Sequence, residues 1–415
     1  MKSVLWPAVA LMNRLSFGMK FSLISVLFLL PMLVTNFFLV RDAYREFQGT
    51  QVELQSLDLL GSSLTLRRDL ETLNNLVQIN ASLGQSGKAG DVEAKITALE
   101  QKVLARLQGM TAMAIEPEHV SAFDAKRGEM IAAFKAQQAE NSLQSKSALI
   151  GSLLNNAQIF GQIIASQAGL SRDNQGDIRQ LSDLVIGVTP EVTQTLGDGR
   201  ALGASSLGLG FLNSASSTRF DELLVQIEKL QGEYDLKLQD ALGSSKAAGQ
   251  ALANQAAASK STLKQAAELI ENQVVMADTL DAPWPAFFEQ LSGLMEQTYR
   301  LNEQTLDFLG VQLQNRLEQN RRHMVLQAVA LAAVFLLIFY LYAGFYASTR
   351  TTLKHLGAMM DKVAAGDMTV NFVARSKDEL GELGEVFNGT VAKIHDLIEQ
   401  VGHTVAEVER QAGQV

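Results

Sequence analysis

Four arginines are the residues in this chain best suited to grip a charged small molecule. Arg67 and Arg68 interrupt an otherwise apolar stretch of Leu60, Leu64, Leu66, Leu70, Leu73 and Leu76. Neighbouring residues differ by ~100° around a helix, so two adjacent arginines cannot share one narrow polar face. One of them is expected to point inward or across an interface between chains. Arg179 and Arg200, with Arg172, flank turns further along. The planar guanidinium fork suits a carboxylate, so Arg67, Arg68, Arg179 and Arg200 form a candidate ligand-binding set for which a small anion is the favoured occupant. The competing reading is internal ion pairing, of Arg67 and Arg68 with Asp69 and Glu71, and of Arg172 with Asp173.

Little else in the chain could do chemistry. It has no cysteine and five histidines, and among residues 42–322 only His119 occurs, beside Pro117, where it reads as a surface residue at a helix start. No His/Glu metal spacing, phosphate-gripping glycine loop or nucleophile elbow is present, and no strand pattern precedes Gly203, Gly208 and Gly210 to make a dinucleotide fingerprint. The sequence therefore implies no enzyme activity, no cofactor and no metal. The net charge of −9 comes without a basic face, which argues against nucleic acid as a partner.

Two apolar stretches position everything else. Residues 21–40 and 324–346 carry no charge, and each matches the ~20 residues a helix needs to cross ~30 Å of hydrocarbon. The second ends in Phe339, Tyr340, Tyr342, Phe345 and Tyr346, suited to an interfacial aromatic belt. Arg14 and Lys20 precede the first stretch, and Arg350, Lys354 and Lys362 follow the second, which places both ends in the cytoplasm; Arg41, Arg316, Arg321 and Arg322 lie on the other side. A cleaved signal peptide is disfavoured, because the apolar run is long, starts late and lacks a small-x-small cleavage site. The intervening region of about 280 residues is then extracytoplasmic, periplasmic in a bacterium, where the absence of cysteine avoids stray disulfides. The expected organisation is a cytoplasmic segment at 1–20, a first span at 21–40, a helical ligand-binding domain at 41–323 and a second span at 324–346. A relay at 347–401 and the start of a cytoplasmic coiled coil at 402–415 follow.

Leu, Ala, Gln, Glu and Lys dominate residues 42–322, and the prolines there stand where helices can begin, as in Glu116-Pro117-Glu118, Thr189-Pro190-Glu191 and Asp281-Ala282-Pro283. Glycine clusters at 84–90 and 197–210 are expected to supply breaks. Helices are expected over 42–83, 90–113, 117–169, 177–187, 190–212, 218–276 and 284–322, with 117–169 and 218–276 each long enough to be broken. In the last, Phe287, Leu291, Leu294, Met295, Leu301, Leu306, Leu309 and Leu313 form a buried stripe. One four-helix bundle of this length would need helices of about 65 residues, or ~100 Å, whereas two stacked bundles need segments of ~30–35 residues. The expected fold is all-α, with two transmembrane helices and a stacked double four-helix-bundle sensor.

After the second apolar stretch, Leu353, Leu356, Met360 and Val363 step by 3, 4 and 3 as a heptad seam that stops at Gly366-Asp367. An extended piece over 368–372 leads to a second seam, Leu380, Leu383, Phe387, Thr390, Ile394, Leu397 and Val401, which continues through Thr404, Val408 and Val415. Two short heptad helices joined in this way form a parallel coiled coil only when two chains supply four helices, so a homodimer is expected.

This segment resembles a HAMP domain, the signal-relay module of bacterial transmembrane receptors. The resemblance rests on Ala365-Gly366-Asp367-Met368-Thr369 and on Asp378-Glu379-Leu380-Gly381-Glu382-Leu383 followed by Phe387-Asn388. It implies that Gly366 lets the connector turn, that Met368 and Val370 (or Phe372) are its packing positions, and that Glu379 couples the connector to the second helix. Leu380, Leu383 and Phe387 would form the relay's seam. The proline usual near the start of the first helix is replaced by Thr351-Thr352.

The uninterrupted helix after the relay is similar to the start of the cytoplasmic hairpin of methyl-accepting chemotaxis receptors. Residues 42–322 resemble their all-helical sensors, notably at Gly169-Leu170-Ser171-Arg172-Asp173 and Thr189-Pro190. The resemblance implies an inner-membrane chemoreceptor that binds a small periplasmic ligand and acts on a chemotaxis kinase and its adaptor. The alternatives are the sensor half of a histidine kinase or cyclase, for which His395-Asp396-Leu397 is a loose phospho-acceptor box, and a stand-alone membrane coiled-coil protein.

Overall fold

The computed structural model of the protein describes residues 11–12, 14–15, 17–112, 117–373 and 379–412. The expectations for residues 1–10, Glu116, Asp378 and Val415 lie outside the described residues, as do those for the side chains of Lys20, Phe21 and Pro117. No strand occurs among the described residues, and the chain is all-α. Its helices are α1 (Phe17–Leu83), α2 (Val92–Gly109), α3 (Pro117–Ala139), α4 (Leu143–Ala168), α5 (Gly176–Asp183), α6 (Thr189–Leu209), α7 (Ser214–Gly243), α8 (Lys246–Ile270), α9 (Trp284–Ala364) and α10 (Glu379–Ala412). The chain divides into two compact units, residues 41–322 and residues 1–40 with 323–415, and α1 and α9 contribute to both.

Register within the 41–322 unit follows from side-chain neighbours along α1. Helix α9 runs antiparallel to it, with Leu57 against Gly310, Gly61 against Leu306 and Arg68 against Glu296. Helix α4 is also antiparallel, bringing Ser147 to Asn74, Leu154 to Arg67, Gly161 to Ser63 and Gly169 to Glu53. Helix α6 runs parallel, bringing Pro190 to Arg67, Thr193 to Glu71, Arg200 to Asn75 and Gly208 to Leu83. α1 therefore exchanges α4 for α6 over residues 67–75, which divides the unit into two helical layers sharing α1 and α9.

Both long helices expected in this unit are broken, each at a serine. Ser142 caps α4, accepting from the Ser145 N–H at 3.3 Å, and Ser245 caps α8, accepting from the Ala248 N–H at 3.0 Å. Each oxygen satisfies a donor that the first helical turn leaves without a partner. The expected break across 197–210 is corrected. Those glycines lie inside α6, and only Gly210 leaves the helix, at φ +83°. A methyl group at Gly203 would overlap the Phe287 ring, and one at Gly208 would overlap Leu83. The small residues allow close approach of helices, a tertiary demand that composition does not distinguish from a break.

A π-turn, Leu184–Val188, joins α5 to α6. Its cause is Pro190, whose missing N–H cannot bond the Ile186 carbonyl four residues back. The Gln158 carboxamide of α4 donates to that carbonyl instead. The Thr189 N–H reaches back to Leu184, and its hydroxyl donates to the Val185 carbonyl at 3.1 Å.

Three helices, α1, α4 and α9, are long and apolar enough to cross a membrane by length and composition. In α4 the apolar window is 44 % buried, its stripe of Ile150, Leu153, Leu154, Ala157, Phe160 and Ile164 facing the core. The windows in α1 and α9 are not buried at all, and Leu27, Phe28, Leu336 and Phe339 are exposed.

Candidate functional site

A polar cluster occupies the level where α1 changes partners. Arg67 and Glu71, one turn apart on α1, are buried and paired at 3.2 Å. The rest of the Arg67 fork donates to the Leu154 and Pro190 carbonyls at 3.3 and 3.1 Å and to the Gln194 side-chain oxygen at 3.1 Å. Glu71 also accepts from the Thr193 hydroxyl at 2.9 Å and the Tyr299 hydroxyl at 2.6 Å. Burial and the adjacent Glu71 carboxylate raise the Tyr299 phenol well above its ordinary range. Arg68 turns the other way, to Glu296 at 2.5 Å, with its guanidinium 4.5 Å from the centre of the Tyr299 ring. Arg200 donates to Asn75 and Ser292, both at 2.8 Å, and stacks 4.4 Å over Phe288, and burial lowers its pKa.

Three of the four arginines singled out in the sequence thus belong to one cluster. Arg179 does not. It donates to the Asp173 backbone carbonyl at 2.7 Å and lines a separate cavity of about 420 Å³ with Lys237, Asp183 and Asp240. The ion pairs also differ from those nearest in sequence. Glu71 does take Arg67, but Asp69 pairs with Lys102 and Arg106 of α2 at 2.8 and 3.5 Å, and Asp173 takes Arg316 rather than Arg172.

Two adjoining cavities open from this cluster, of about 220 and 290 Å³, and both are lined by Asn155, Gln194 and Asp198. The first has Glu71, Asn74 and Asn75 beneath it, and the second reaches Arg67, Gln158 and Gln226. Burial, then the neighbouring Glu71, pushes the Asp198 carboxyl up to about 6 against the opposing pull of Arg219.

A second charge cluster joins the lower part of α1, the 169–176 turn and α9. Arg316 spans Asp173, at 2.7 and 3.0 Å, and Glu53. One guanidinium thus faces two carboxylates. Burial is the main cause that pushes Glu53 up to about 8, with Asp173 adding and Arg316 opposing.

The other unit holds the connector. Helix α9 ends in a Schellman turn, with Gly366 at φ +95° donating to the Val363 carbonyl at 3.0 Å and Asp367 to the Lys362 carbonyl at 3.1 Å. Asp367 then accepts from the Thr369 N–H at 3.0 Å and hydroxyl at 2.6 Å, and these bonds hold its carboxyl below the usual range. Five residues after Asp367, Phe372 is buried, its ring 5.4 Å from His355 and so close to Gly384 that a methyl there would overlap it. Asn388 accepts from the Phe372 N–H and donates to its carbonyl, both at 2.7 Å. Met368 and Val370 are half-buried, so Phe372 is the deepest anchor of the connector. Glu379 is exposed in the first turn of α10, and Leu380 and Phe387 are half-buried. Leu353, Met360, Leu383, Leu397 and Val401 are exposed in the single chain.

Residues 347–396 match the HAMP domain family. This segment is a HAMP domain. The chain is 34 % identical over 83 residues to the methyl-accepting chemotaxis protein McpA of Bacillus subtilis (strain 168), covering 20 % of this chain and 13 % of that protein. It is 42 % identical over 52 residues to a probable methyl-accepting chemotaxis protein of Bacillus thuringiensis subsp. konkukian (strain 97-27), covering 12 % and 8 %. The matches thus span about an eighth or less of the length of these relatives. No solved structure matches the chain. Among the described residues, no group of three or more His, Cys, Asp or Glu side chains is placed to hold a metal ion.

Sequence reasoning passed over Tyr299, Asp198 and Glu53, gave Arg316 no partner and Asn388 no role, and named Glu71 only as an ion-pair partner of the adjacent arginines. One signal was available: Glu71 sits between Leu70 and Leu73 on the apolar face of α1, where a carboxylate needs an internal partner. Asn388 stood inside the HAMP motif without a role assigned to it.

Proposed function

We propose that this chain is a membrane-spanning chemoreceptor of the methyl-accepting type. Residues 21–40 and 324–346 cross the inner membrane, residues 41–323 sense a small solute on the periplasmic side, and the HAMP domain with the helix beyond it relays the signal to a chemotaxis kinase and its adaptor. The observation that carries this reading is order along the chain: a HAMP domain begins where the exposed apolar stretch of α9 ends. The exposed seam of Leu353, Met360, Leu383, Leu397 and Val401 supports a homodimer, because a second chain burying it removes several large apolar side chains from water. The cavities at Asn155, Gln194 and Asp198 are the proposed sensing site, since small-molecule sites in helical bundles lie between helices where a few polar groups converge. Ligand binding would shift a HAMP equilibrium between two packings of similar energy, and no catalytic step is required of these residues.

The test joins residues 1–401 to the cytoplasmic signalling region of a chemoreceptor and measures kinase activity in membranes across a library of small solutes. A solute that changes kinase output, with the response abolished by lesions in the HAMP connector, is the expected result. Kinase output indifferent to every solute and to HAMP lesions would overturn the proposal.

A further inference from the structure

The proposed sensing cleft is built from three helices. Asn155 comes from α4, Gln194 and Asp198 from successive turns of α6, and the buried floor of Glu71, Asn74 and Asn75 from α1. Asn155, Gln194 and Asp198 each keep exposed surface, so the cleft is open to a solute from outside even though its walls desolvate the Asp198 carboxyl.

The charges around it do not balance. On the floor, Arg67 and Glu71 cancel each other at 3.2 Å. Arg68 is matched by Glu296, and Arg200 is occupied by Asn75, Ser292 and the Phe288 ring. The guanidiniums of Arg67 and Arg68 are engaged inside the fold, one Arg200 nitrogen is buried without a hydrogen-bond partner, and Arg219 of α7 pulls on Asp198 without forming an ion pair with it. Asp198 is the exception among the charged groups: no hydrogen bond or ion pair reaches its carboxylate, and Glu191, one cavity wall away, likewise has neither. An anion entering the cleft would meet Asp198, Glu191 and Glu71 against the engaged charge of Arg67 and the pull of Arg219. A cation would meet the reverse.

We propose that this cleft binds a small organic cation carrying a primary ammonium group, held by the Asp198 carboxylate, with the carboxamides of Asn155 and Gln194 receiving the rest of the molecule. The inference rests on the receptor reading above and specifies its ligand class. An ammonium supplies three donors and no acceptor, which fits a cleft that offers the Asp198 carboxylate and the Asn155 amide oxygen, with the Gln194 oxygen already accepting from Arg67. Cavities of about 220 and 290 Å³ suit a compact molecule rather than a peptide. The raised Asp198 pKa agrees with this assignment, because a desolvated carboxylate that Arg219 only partly offsets gains from a cation placed beside it.

The experiment uses the full chain in lipid nanodiscs, titrated by calorimetry with ethanolamine, 1,4-diaminobutane, succinate and glycerol. The expected result is binding of at least one amine and not of succinate or glycerol. Asp198→Asn should weaken amine binding by about ten-fold or more, the usual consequence of removing a charged hydrogen-bonding partner. Glu222→Gln, on the exposed face of α7, should leave it unchanged. If Asp198→Asn does not fold, Asn155→Leu provides the same comparison at the opposite wall. Binding of succinate, equal amine binding by wild type and both cleft variants, or no amine binding up to ~10 mM (a weak affinity already below that of a useful sensor) would each overturn the proposal. Failure here leaves the kinase chimera as a separate judge of the receptor reading, because that assay does not presuppose a ligand class.

Discussion

The carboxamide of Asn388 faces the backbone of Phe372 as another strand would, accepting from its N–H and donating to its carbonyl at 2.7 Å each. No strand lies beside the connector among the described residues, yet its deepest residue needs both backbone groups satisfied beside a buried ring. One amide side chain supplies both bonds.

Asn388→Leu keeps the size of the side chain and removes both partners. Each buried group left without one costs about 1–3 kcal/mol, so the connector should detach from α10 well before the helices melt. Hydrogen exchange at the Phe372 amide reads this directly, and protection equal to wild type would show that the bracket contributes nothing. Asn388→Asp retains the acceptor and should keep part of the protection.

Homodimerisation makes a positional prediction. The protein has no cysteine, so single cysteines can be introduced without background. Leu383→Cys and Phe387→Cys should crosslink efficiently between chains in membranes, and Lys393→Cys should not. The opposite pattern would remove the basis for the relay seam.

Gly203→Ala places a methyl group where the Phe287 ring stands. Neither helix has an easy retreat, since Phe287 is fully buried. A loss of about 1–3 kcal/mol is expected for overpacking of this kind, visible as a lower Tm by circular dichroism. An unchanged Tm would mean that α6 and α9 are less tightly packed than they stand here.

Stability should depend on pH through Glu53. Its carboxyl is raised from 4.5 to about 8 in the folded protein, so between those values the folded state binds a proton that the unfolded state has released. Stability is therefore highest at the acid end of this window and falls as pH rises through it. Glu53→Gln removes the titrating group and should flatten that slope in chemical denaturation from pH 5 to 8.5. A slope equal to wild type would assign the dependence elsewhere.

Arg316→Met at neutral pH leaves the Asp173 carboxylate without its cation, beside a Glu53 that already holds a proton. Stranding a buried charge in this way costs about 3–5 kcal/mol. The deficit should shrink on acidification, as a proton takes the place of the guanidinium. A deficit independent of pH would point to lost packing rather than lost charge.

What the sequence revealed and what it concealed divide by distance along the chain. The buried stripe of α9 was legible because Phe287, Leu291, Met295, Leu309 and Leu313 recur at helical spacing, and all are buried. The angle between adjacent residues made it legible that Arg67 and Arg68 part ways but not which turns inward; Arg67 is buried while Arg68 is partly exposed. Their partners were harder to foresee. Glu296 lies 228 residues from Arg68, and in sequence it is one surface acid among many. The glycines of 197–209 misled for a related reason, since glycine marks a break or a close contact and only the opposing helix decides which. Phe372 outranks Met368 and Val370 as the anchor because Gly384 leaves room for its ring, a complementarity between residues on different segments.

Pro190 has a mechanical consequence. Lacking an N–H, it surrenders the Ile186 carbonyl to Gln158 of α4, while Arg67 of α1 holds the Leu154 carbonyl of α4 and the Pro190 carbonyl of α6 at 3.3 and 3.1 Å. Three helices are stitched together at one height by bonds aimed at individual carbonyl oxygens. A slide of one residue's rise, ~1.5 Å, is enough to carry such bonds out of range. Within residues 41–322, slippage of α1 past α4 and α6 is therefore opposed at this height by individual hydrogen bonds rather than by packing alone.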